Sequence, residues 1–471
     1  MTDSTTLHVA VIGGGPGGYA AAFRAADLGM QVTLIDQNIN PGGVCLYRGC
    51  IPSKALLHAA RVIADANEAS AIGIQFGEPD IDLDRLNTWK SSVVDRLTGG
   101  LGMLARQRKV DFIQGTATLR DSHSVVVRKP DQTEETVTFQ RAILATGSRN
   151  HLLPGAPECI WNSTRALELA EIPETLLVVG GGYIGLELGS VYATLGSRVT
   201  VVEMLPQLMS GTDRDLVSVF LKKANGLFHE IHTRTRVDHI QKSEGKYTVR
   251  LSNEKSEAIT MDFDRILVSI GRIPNTDKIG LENTAVSLDE RGFVRVGPDR
   301  QTDDPSIYAI GDITGGPLLA HKATHEGRVA AGAIGGEKAV FEPSVIPGVV
   351  YTHPEIAFCG LTESEARASG KQVQTVKFPW AASGRALTMG VQDGLTKLII
   401  DPRSERVLGV GMAGPGAGDM ISEGALAIEM GALASDIGST IHPHPTLSET
   451  VMEAADIFYG TCTHVYRPKR R

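Results

Sequence analysis

An apolar run, Leu7-His8-Val9-Ala10-Val11-Ile12, stops at Gly13-Gly14-Gly15-Pro16-Gly17-Gly18 and gives way to small residues from Tyr19 to Leu28. A second apolar run, Gln31 to Ile35, ends on Asp36. Run lengths and glycine punctuation predict a strand, a tight turn, a helix and a second strand. The pattern then returns. Leu176 to Val179 reads as a strand, Gly180-Gly181-Gly182-Tyr183-Ile184-Gly185 as the turn, and a helix follows to Leu195. Ser197 to Val202 is the next strand, and it ends on Glu203. The spacing from first glycine to acid is the same in both copies, which marks a repeated unit.

Each unit is a G-x-G-x-x-G turn between strand and helix, with an acid about 20 residues on, the fingerprint of dinucleotide binding. Gly13 and Gly180 allow the tight turn. Gly15 and Gly182 let the backbone approach a pyrophosphate, which a helix N-terminus stabilises. Gly18 and Gly185 let helix and strand pack closely. Asp36 and Glu203 would accept hydrogen bonds from a ribose. A carboxylate at Glu203, with no arginine directly after it, favours NAD over NADP. Arg198 reads as solvated surface.

Each unit closes with a strand running into a glycine: Ala142 to Ala145 before Thr146-Gly147, and Arg265 to Ile270 before Gly271. Polar, turn-rich stretches, Ser124 to Phe139 and Lys246 to Met261, read as antiparallel excursions. Asp303 to Asp312 reads as a strand ending in Gly-Asp, where an aspartate by itself is a cap or turn residue. From about Ser344 the texture changes to short strands and helices, with a strand at Thr396–Ile400 and a helix from Gly418 to Met430.

Two stretches carry candidate chemistry. Gly42 to Lys54 holds Cys45 and Cys50 just before a helical pattern, with Pro52 suited to its first turn. Cys50 then sits at a helix N-terminus, where the dipole favours thiolate. The pair is close enough to bridge if the intervening loop curls back at Gly49, or it is two reduced thiols in a loop. The second stretch is His442-Pro443-His444-Pro445-Thr446-Leu447-Ser448-Glu449. Its prolines prevent a helix before about Thr446. Glu449 can meet His444 across the helix start and orient the imidazole, or it can complete a capping box with Thr446 as N-cap.

At 471 residues the chain is long for one core, and about three domains are expected. A net charge of −8 argues against nucleic acid as the main partner. No apolar run approaches the roughly 18 residues of a membrane span. With no signal-like start, a cytoplasmic location is expected. Five cysteines, three of them scattered (Cys159, Cys359, Cys462), are not a secreted disulfide framework. His321, His325, His353 and His442 show no metal-ligand spacing with cysteine, so no metal is expected.

Taken together, two nucleotide units, C-x4-C after the first, a Gly-Asp strand and a C-terminal histidine pair resemble the flavin-dependent pyridine nucleotide–disulfide oxidoreductases. Cys45 to Lys54 looks like the branch that dehydrogenates dihydrolipoamide. The resemblance implies an α/β fold of two Rossmann-like dinucleotide-binding domains and a C-terminal α+β dimerisation domain. Its expected divisions are 1–148 for FAD, 149–271 for NAD, 272–343 returning to the FAD domain, and 344–471 for the interface. It implies FAD on Gly13, Gly15, Gly18, Asp36, Gly43, Lys54, Thr146, Gly147, Asp312 and Ala320, and NAD on Gly180, Gly182, Gly185, Glu203 and Gly271. Catalysis falls to a Cys45–Cys50 redox disulfide, to His444 held by Glu449 and donated to the partner subunit, and to a Lys54–Glu187 pair near the flavin–nicotinamide junction. The implied reaction is oxidation of dihydrolipoyl groups with NAD+ by a homodimer. Its partner is the lipoyl domain of a 2-oxo acid dehydrogenase complex or a glycine-cleavage carrier protein.

Some positions depart from the family pattern. Tyr47 stands where asparagine is more common, and Asp36 is one methylene shorter than the commoner glutamate. Mercuric reductases carry a cysteine pair near the C-terminus, but here Cys462 stands alone, which disfavours metal-ion reduction. Two other functions fit the motifs less well: an NAD(P)H-dependent reductase of another disulfide, which Glu203 argues against, and a flavin-bound subunit that does not turn over. The basic end, Arg467-Pro468-Lys469-Arg470-Arg471, reads as a solvated tail.

Overall fold

The computed structural model describes residues 6–466 except 156, 158, 244 and 256, so the basic end lies outside the described residues. The first sheet has five parallel strands in the spatial order Ile307–Ala309, Arg141–Leu144, His8–Ile12, Gln31–Asp36 and Asp111–Gln114. His8–Ile12 is central and covered on both faces, so Val9, Ala10 and Val11 are fully buried and its sequence is a continuous apolar run. The helix after the glycine turn is Pro16–Asp27, starting three residues before the expected Tyr19 because Pro16 suits the first helical turn. Its small residues let the helix Ala320–Ile334 pack against it at backbone range. A methyl on Gly327 would stand 2.4 Å from the Gly17 carbonyl oxygen.

The second sheet repeats the pattern with four parallel strands, Glu230–His232, Arg198–Val202, Thr175–Val179 and Arg265–Val268. Both expected antiparallel excursions are present, and each has one strand more than expected, Thr116–Asp121 and Thr235–Ser243. Each offers only two apolar side chains, Ala117 and Leu119 in the first and Val237 and Ile240 in the second, so their apolar pattern is faint. Asp303 to Asp312 is not one long strand. Only Ile307–Ala309 pairs, and Gly311–Thr314 is a 3-10 turn entered at φ +75° for Gly311. A ribbon of Ser148–Asn150 against Arg272–Pro274 links the exits of the two parallel sheets.

The C-terminal portion is a five-stranded antiparallel sheet, ordered Gly348–Val350, Ile356–Gly360, Val407–Ala413, Leu395–Ile400 and Gln374–Pro379. The helices Ala417–Glu429 and Glu449–Tyr459 close its core, in which Cys359 is buried. Lys397 of this sheet is only 1% exposed. Its ammonium donates to Asp213 Oδ2 at 2.6 Å and Asp215 Oδ1 at 2.8 Å, at the start of the helix Arg214–Leu227, and to Glu363 at 3.2 Å. A lysine this deep survives only with such partners. It ties the second parallel-sheet unit to the C-terminal sheet.

Candidate active site

The two glycine turns have the same geometry. Gly13 and Gly180 adopt φ of +105° and +110°, and an added methyl on either would strike the carbonyl oxygen of the closing strand, Ala145 at 2.2 Å or Ser269 at 2.5 Å. Methyls on Gly18 and Gly185 would meet the first glycine's own carbonyl at 1.8 and 2.3 Å. At the middle glycines the space is open. A methyl on Gly15 would stand 3.9 Å from Gly43 Cα, its nearest neighbour, and one on Gly182 would meet nothing within 4 Å. The acids are also equivalent. Asp36 accepts from the Gly14 N–H at 2.7 Å, and Glu203 from the Gly181 N–H at 2.7 Å. Gly147 and Gly271, after the closing strands, are both left-handed and both face open space.

A cavity of about 620 Å³ begins at the first turn. Gly13, Gly15, Asp36, Gly43, Thr146, Gly147, Asp312 and Ala320 line it, as do Cys45, Cys50, Lys54 and Glu187. Gly18 lies behind the turn, packed on Gly13. Open space at Gly15, a helix N-terminus behind it and a carboxylate at the strand end fit the adenosine and pyrophosphate portion of FAD. Asp312 is set by contacts that carry no local sequence signal. Ser148 donates to its Oδ2, and Arg272 donates to Ser148 Oγ at 2.6 Å. Beneath the turn, fully buried Glu326 accepts from the Gly311 N–H at 2.7 Å, from Arg300 at 2.9 Å and from Lys322 at 3.0 Å.

Cys45 is not in a loop. It lies on a short helix, Gly43–Arg48, and Cys50 starts the helix Cys50–Glu68. Gly49 joins them, where an added methyl would stand 2.8 Å from the Val44 carbonyl oxygen. The turn therefore folds back on itself and brings the thiols into hydrogen-bond contact. Cys50, which accepts the bond from Cys45, has its pKa drawn down to about 7; burial and Glu187 oppose this and Lys54 assists it. The same bond, then burial, pushes the Cys45 thiol far up. The two sulfurs are thus chemically unequal, with Cys50 the better thiolate.

Lys54 lies one turn past Cys50, and its ammonium is 2.8 Å from Glu187 Oε2 on the second unit's helix, Tyr183–Thr194. A third residue, unseen in the sequence, joins them: Tyr351, whose backbone N–H donates to Glu187 Oε1 at 2.9 Å. Tyr183 and Arg272 also line the cavity, where the second unit approaches the first.

His444 and Glu449 meet as expected in position, with Nδ1 2.9 Å from Oε1. The same carboxylate accepts from the Thr446 N–H at 2.8 Å, but the capping box does not form, because Ser448 is the N-cap, without a side-chain cap, and the Thr446 hydroxyl donates to the Pro443 carbonyl instead. The helix itself begins later, at Glu449. Burial opposes ionisation of Glu449, but the Thr446 N–H and His444 hold its pKa below the ordinary range. His444 is 75% exposed and lies outside the lining of its own chain's cavity. His442 bonds Glu423 instead, at 2.7 Å. Two acidic groups converge elsewhere, Asp65 with Glu68 and His353, and Asp213 with Asp215 and Glu363. Arg61 and Lys223 neutralise the first, and Lys397 the second.

Residues 7–327 match the pyridine nucleotide-disulphide oxidoreductase family, and residues 346–455 match that family's dimerisation domain. The chain is 46% identical to the dihydrolipoyl dehydrogenase of Haemophilus influenzae, covering 100% of this chain and 99% of the relative. It is 44% identical to that of Bacillus subtilis, covering 97% of each. Among solved structures, LpdA from Mycobacterium tuberculosis superposes with a TM-score of 0.88 at 26% identity, over 96% of this chain and 99% of that one. The HOCl-induced flavoprotein disulfide reductase RclA from Escherichia coli gives 0.85 at 28% identity, with the same coverage. No helix among the described residues is long and apolar enough to cross a membrane.

Proposed function

The chain belongs to the pyridine nucleotide-disulphide oxidoreductases, and from that premise we propose that it oxidises protein-bound dihydrolipoamide to lipoamide and reduces NAD+ to NADH. It is a homodimer that uses FAD and NAD. The observation that carries the reading is the placement of Cys45 and Cys50 in the cavity of the first glycine turn, with Lys54 bridging to Glu187 of the second unit.

In the resting enzyme Cys45 and Cys50 form the redox disulfide. Nδ1 of His444 is occupied by Glu449, so Nε2 is the nitrogen that takes a proton from a substrate thiol. The thiolate attacks Cys45, the Cys45–Cys50 bond breaks, and Cys50 leaves as a thiolate beside Lys54 and its helix N-terminus. The second substrate thiol, once deprotonated, displaces Cys45 and closes the lipoyl disulfide. Two electrons have then moved from the substrate to the cysteine pair. Bound FAD supplies the two-electron carrier between this dithiol and the nicotinamide. Gly13, Gly15, Asp36, Gly43, Lys54, Thr146, Gly147, Asp312 and Ala320 would hold it, with Gly18 shaping the turn from behind, and Gly180, Gly182, Gly185, Glu203 and Gly271 would hold NAD. His444 and Glu449 serve the partner's site, which the exposure of His444 supports. The division into 1–148, 149–271, 272–343 and 344–471 is part of the same proposal, supported by the separate sheets. The substrate is carried by the lipoyl domain of a 2-oxo acid dehydrogenase complex or a glycine-cleavage carrier protein, in the cytoplasm.

The test is anaerobic addition of dihydrolipoamide to the holoenzyme, followed by NAD+, with the visible spectrum recorded. Long-wavelength absorbance that appears and then decays as NADH forms is the expected result. An unchanged spectrum, with turnover of another disulfide by NADPH, overturns the substrate assignment.

A further inference from the structure

Lys54 is held from two sides. Glu187 takes one, and the Tyr351 ring takes the other, with Nζ 4.4 Å from its centroid. Because the Tyr351 backbone N–H is fixed on the second Glu187 oxygen, three segments close a triangle: the dithiol helix, the second unit's helix and the end of Gly348–Val350, the first strand of the C-terminal sheet. Both Glu187 oxygens are used, and that residue cannot move without disturbing the others. Lys54 has no such restriction of its own. It is 32% exposed on a flexible four-carbon stem, and a single ion pair leaves it free to swing toward water. The aromatic face removes that freedom and favours the cation.

The position of Lys54 matters because of the groups around Cys50. Cys45 shares its hydrogen bond, Glu187 opposes its ionisation, and the phenols of Tyr19, Tyr183 and Tyr351 stand near enough to sense its charge. Lys54 is the cation of this set. We propose that Tyr351 is a positioning residue whose ring pins the Lys54 ammonium beside Cys50 and thereby sets how readily Cys50 leaves as a thiolate. This rests on the dithiol chemistry proposed above. It also means that the C-terminal sheet, besides carrying the histidine of the partner's site, reaches the sulfur chemistry of its own chain.

The experiment measures the thiolate directly, so it does not depend on which substrate the enzyme takes. Reduced holoenzymes carrying wild-type Tyr351, Tyr351→Phe, Tyr351→Trp or Tyr351→Leu are titrated by thiolate ultraviolet absorbance, each as a difference from the same protein with Cys50→Ser. Tyr351→Leu is expected to raise the midpoint by about half a unit, the part of the Lys54–thiolate attraction lost when the ammonium swings away from Cys50. Tyr351→Phe keeps the wild-type midpoint, and Tyr351→Trp holds at or below it. A midpoint unchanged in Tyr351→Leu, or raised as far in Tyr351→Phe, overturns the proposal. If Tyr351→Leu does not fold, a Tyr351→Trp midpoint above that of Tyr351→Phe overturns it equally. A wild type that titrates as expected yet ignores dihydrolipoamide defeats the substrate assignment alone.

Discussion

Replacing either end of the Lys54–Glu187 pair should have unequal effects. Glu187 is 4% exposed and Lys54 32% exposed. Lys54→Met strands a buried carboxylate that keeps only the Tyr351 N–H as a donor. Removing one partner of a buried pair costs roughly 3–5 kcal/mol, and the remaining hydrogen bond places this case at about 3 kcal/mol. Glu187→Met instead frees a lysine that can reach water, and leaves one half-buried N–H without its acceptor, costing about 1 kcal/mol. The double variant should resemble Glu187→Met, because no stranded charge remains, giving a coupling of about 3 kcal/mol. The assay is denaturant unfolding followed by circular dichroism, at fixed subunit concentration and saturating FAD, since both shift apparent stability. Activity should follow a different order. Both single variants and the double lose turnover, because Cys50 loses its cation or the junction loses its geometry. Equal destabilisation by the two single changes, or a double variant no more stable than Lys54→Met, would refute the burial argument.

His444→Gln should lower kcat/KM for dihydrolipoamide by about 10² to 10⁴-fold and shift the melting temperature little, since glutamine is of similar size and Glu449 keeps the Thr446 N–H; steady-state kinetics with a parallel melt checks both. Asp213 and Asp215 are desolvated, yet Lys397 and their other donors hold both carboxyls below the ordinary range. Their pKa values are therefore lower folded than unfolded. Their contribution is complete above the unfolded value of about 3.9 and fades as pH falls through the folded ones. Asp213→Asn should cost about 2 kcal/mol at pH 6, and the gap should narrow as acid denaturation begins. A gap constant down to pH 3 would show that the carboxylate's charge is not the cause.

The parts of the fold that sequence disclosed are those made by neighbours in the chain. The two glycine turns are steric requirements within a few residues, so Gly13 and Gly180 announce themselves, and the equal spacing to Asp36 and Glu203 follows. The Cys45–Cys50 and His444–Glu449 pairs are legible for the same reason. Contacts between distant segments left no trace. Nothing around Tyr351 marks it as the cover of Lys54, and Glu326 sits on a helix whose small residues advertise packing rather than a polar anchor under Asp312. The short helix carrying Cys45 was hidden by Gly42, Gly43 and Gly49, which read as loop. Asp303 to Asp312 reads as a longer strand than it is because its apolar residues continue past Ala309, where pairing ends and Gly311 turns the chain.

The packing of Ala320–Ile334 on Pro16–Asp27 also has a consequence in time. During synthesis the amino-terminal sheet emerges with its Arg141–Leu144 edge uncovered, and the strand that covers it, Ile307–Ala309, follows only after roughly 160 more residues, on the order of ten seconds at ribosomal speed. The second sheet is encoded entirely within that interval. It can therefore mature while the first waits, exposed along one edge and one helix face, for the ribosome to deliver its missing parts. A nascent chain arrested before residue 307 should be the species that chaperones hold, and flavin should be captured only by chains that have passed residue 334.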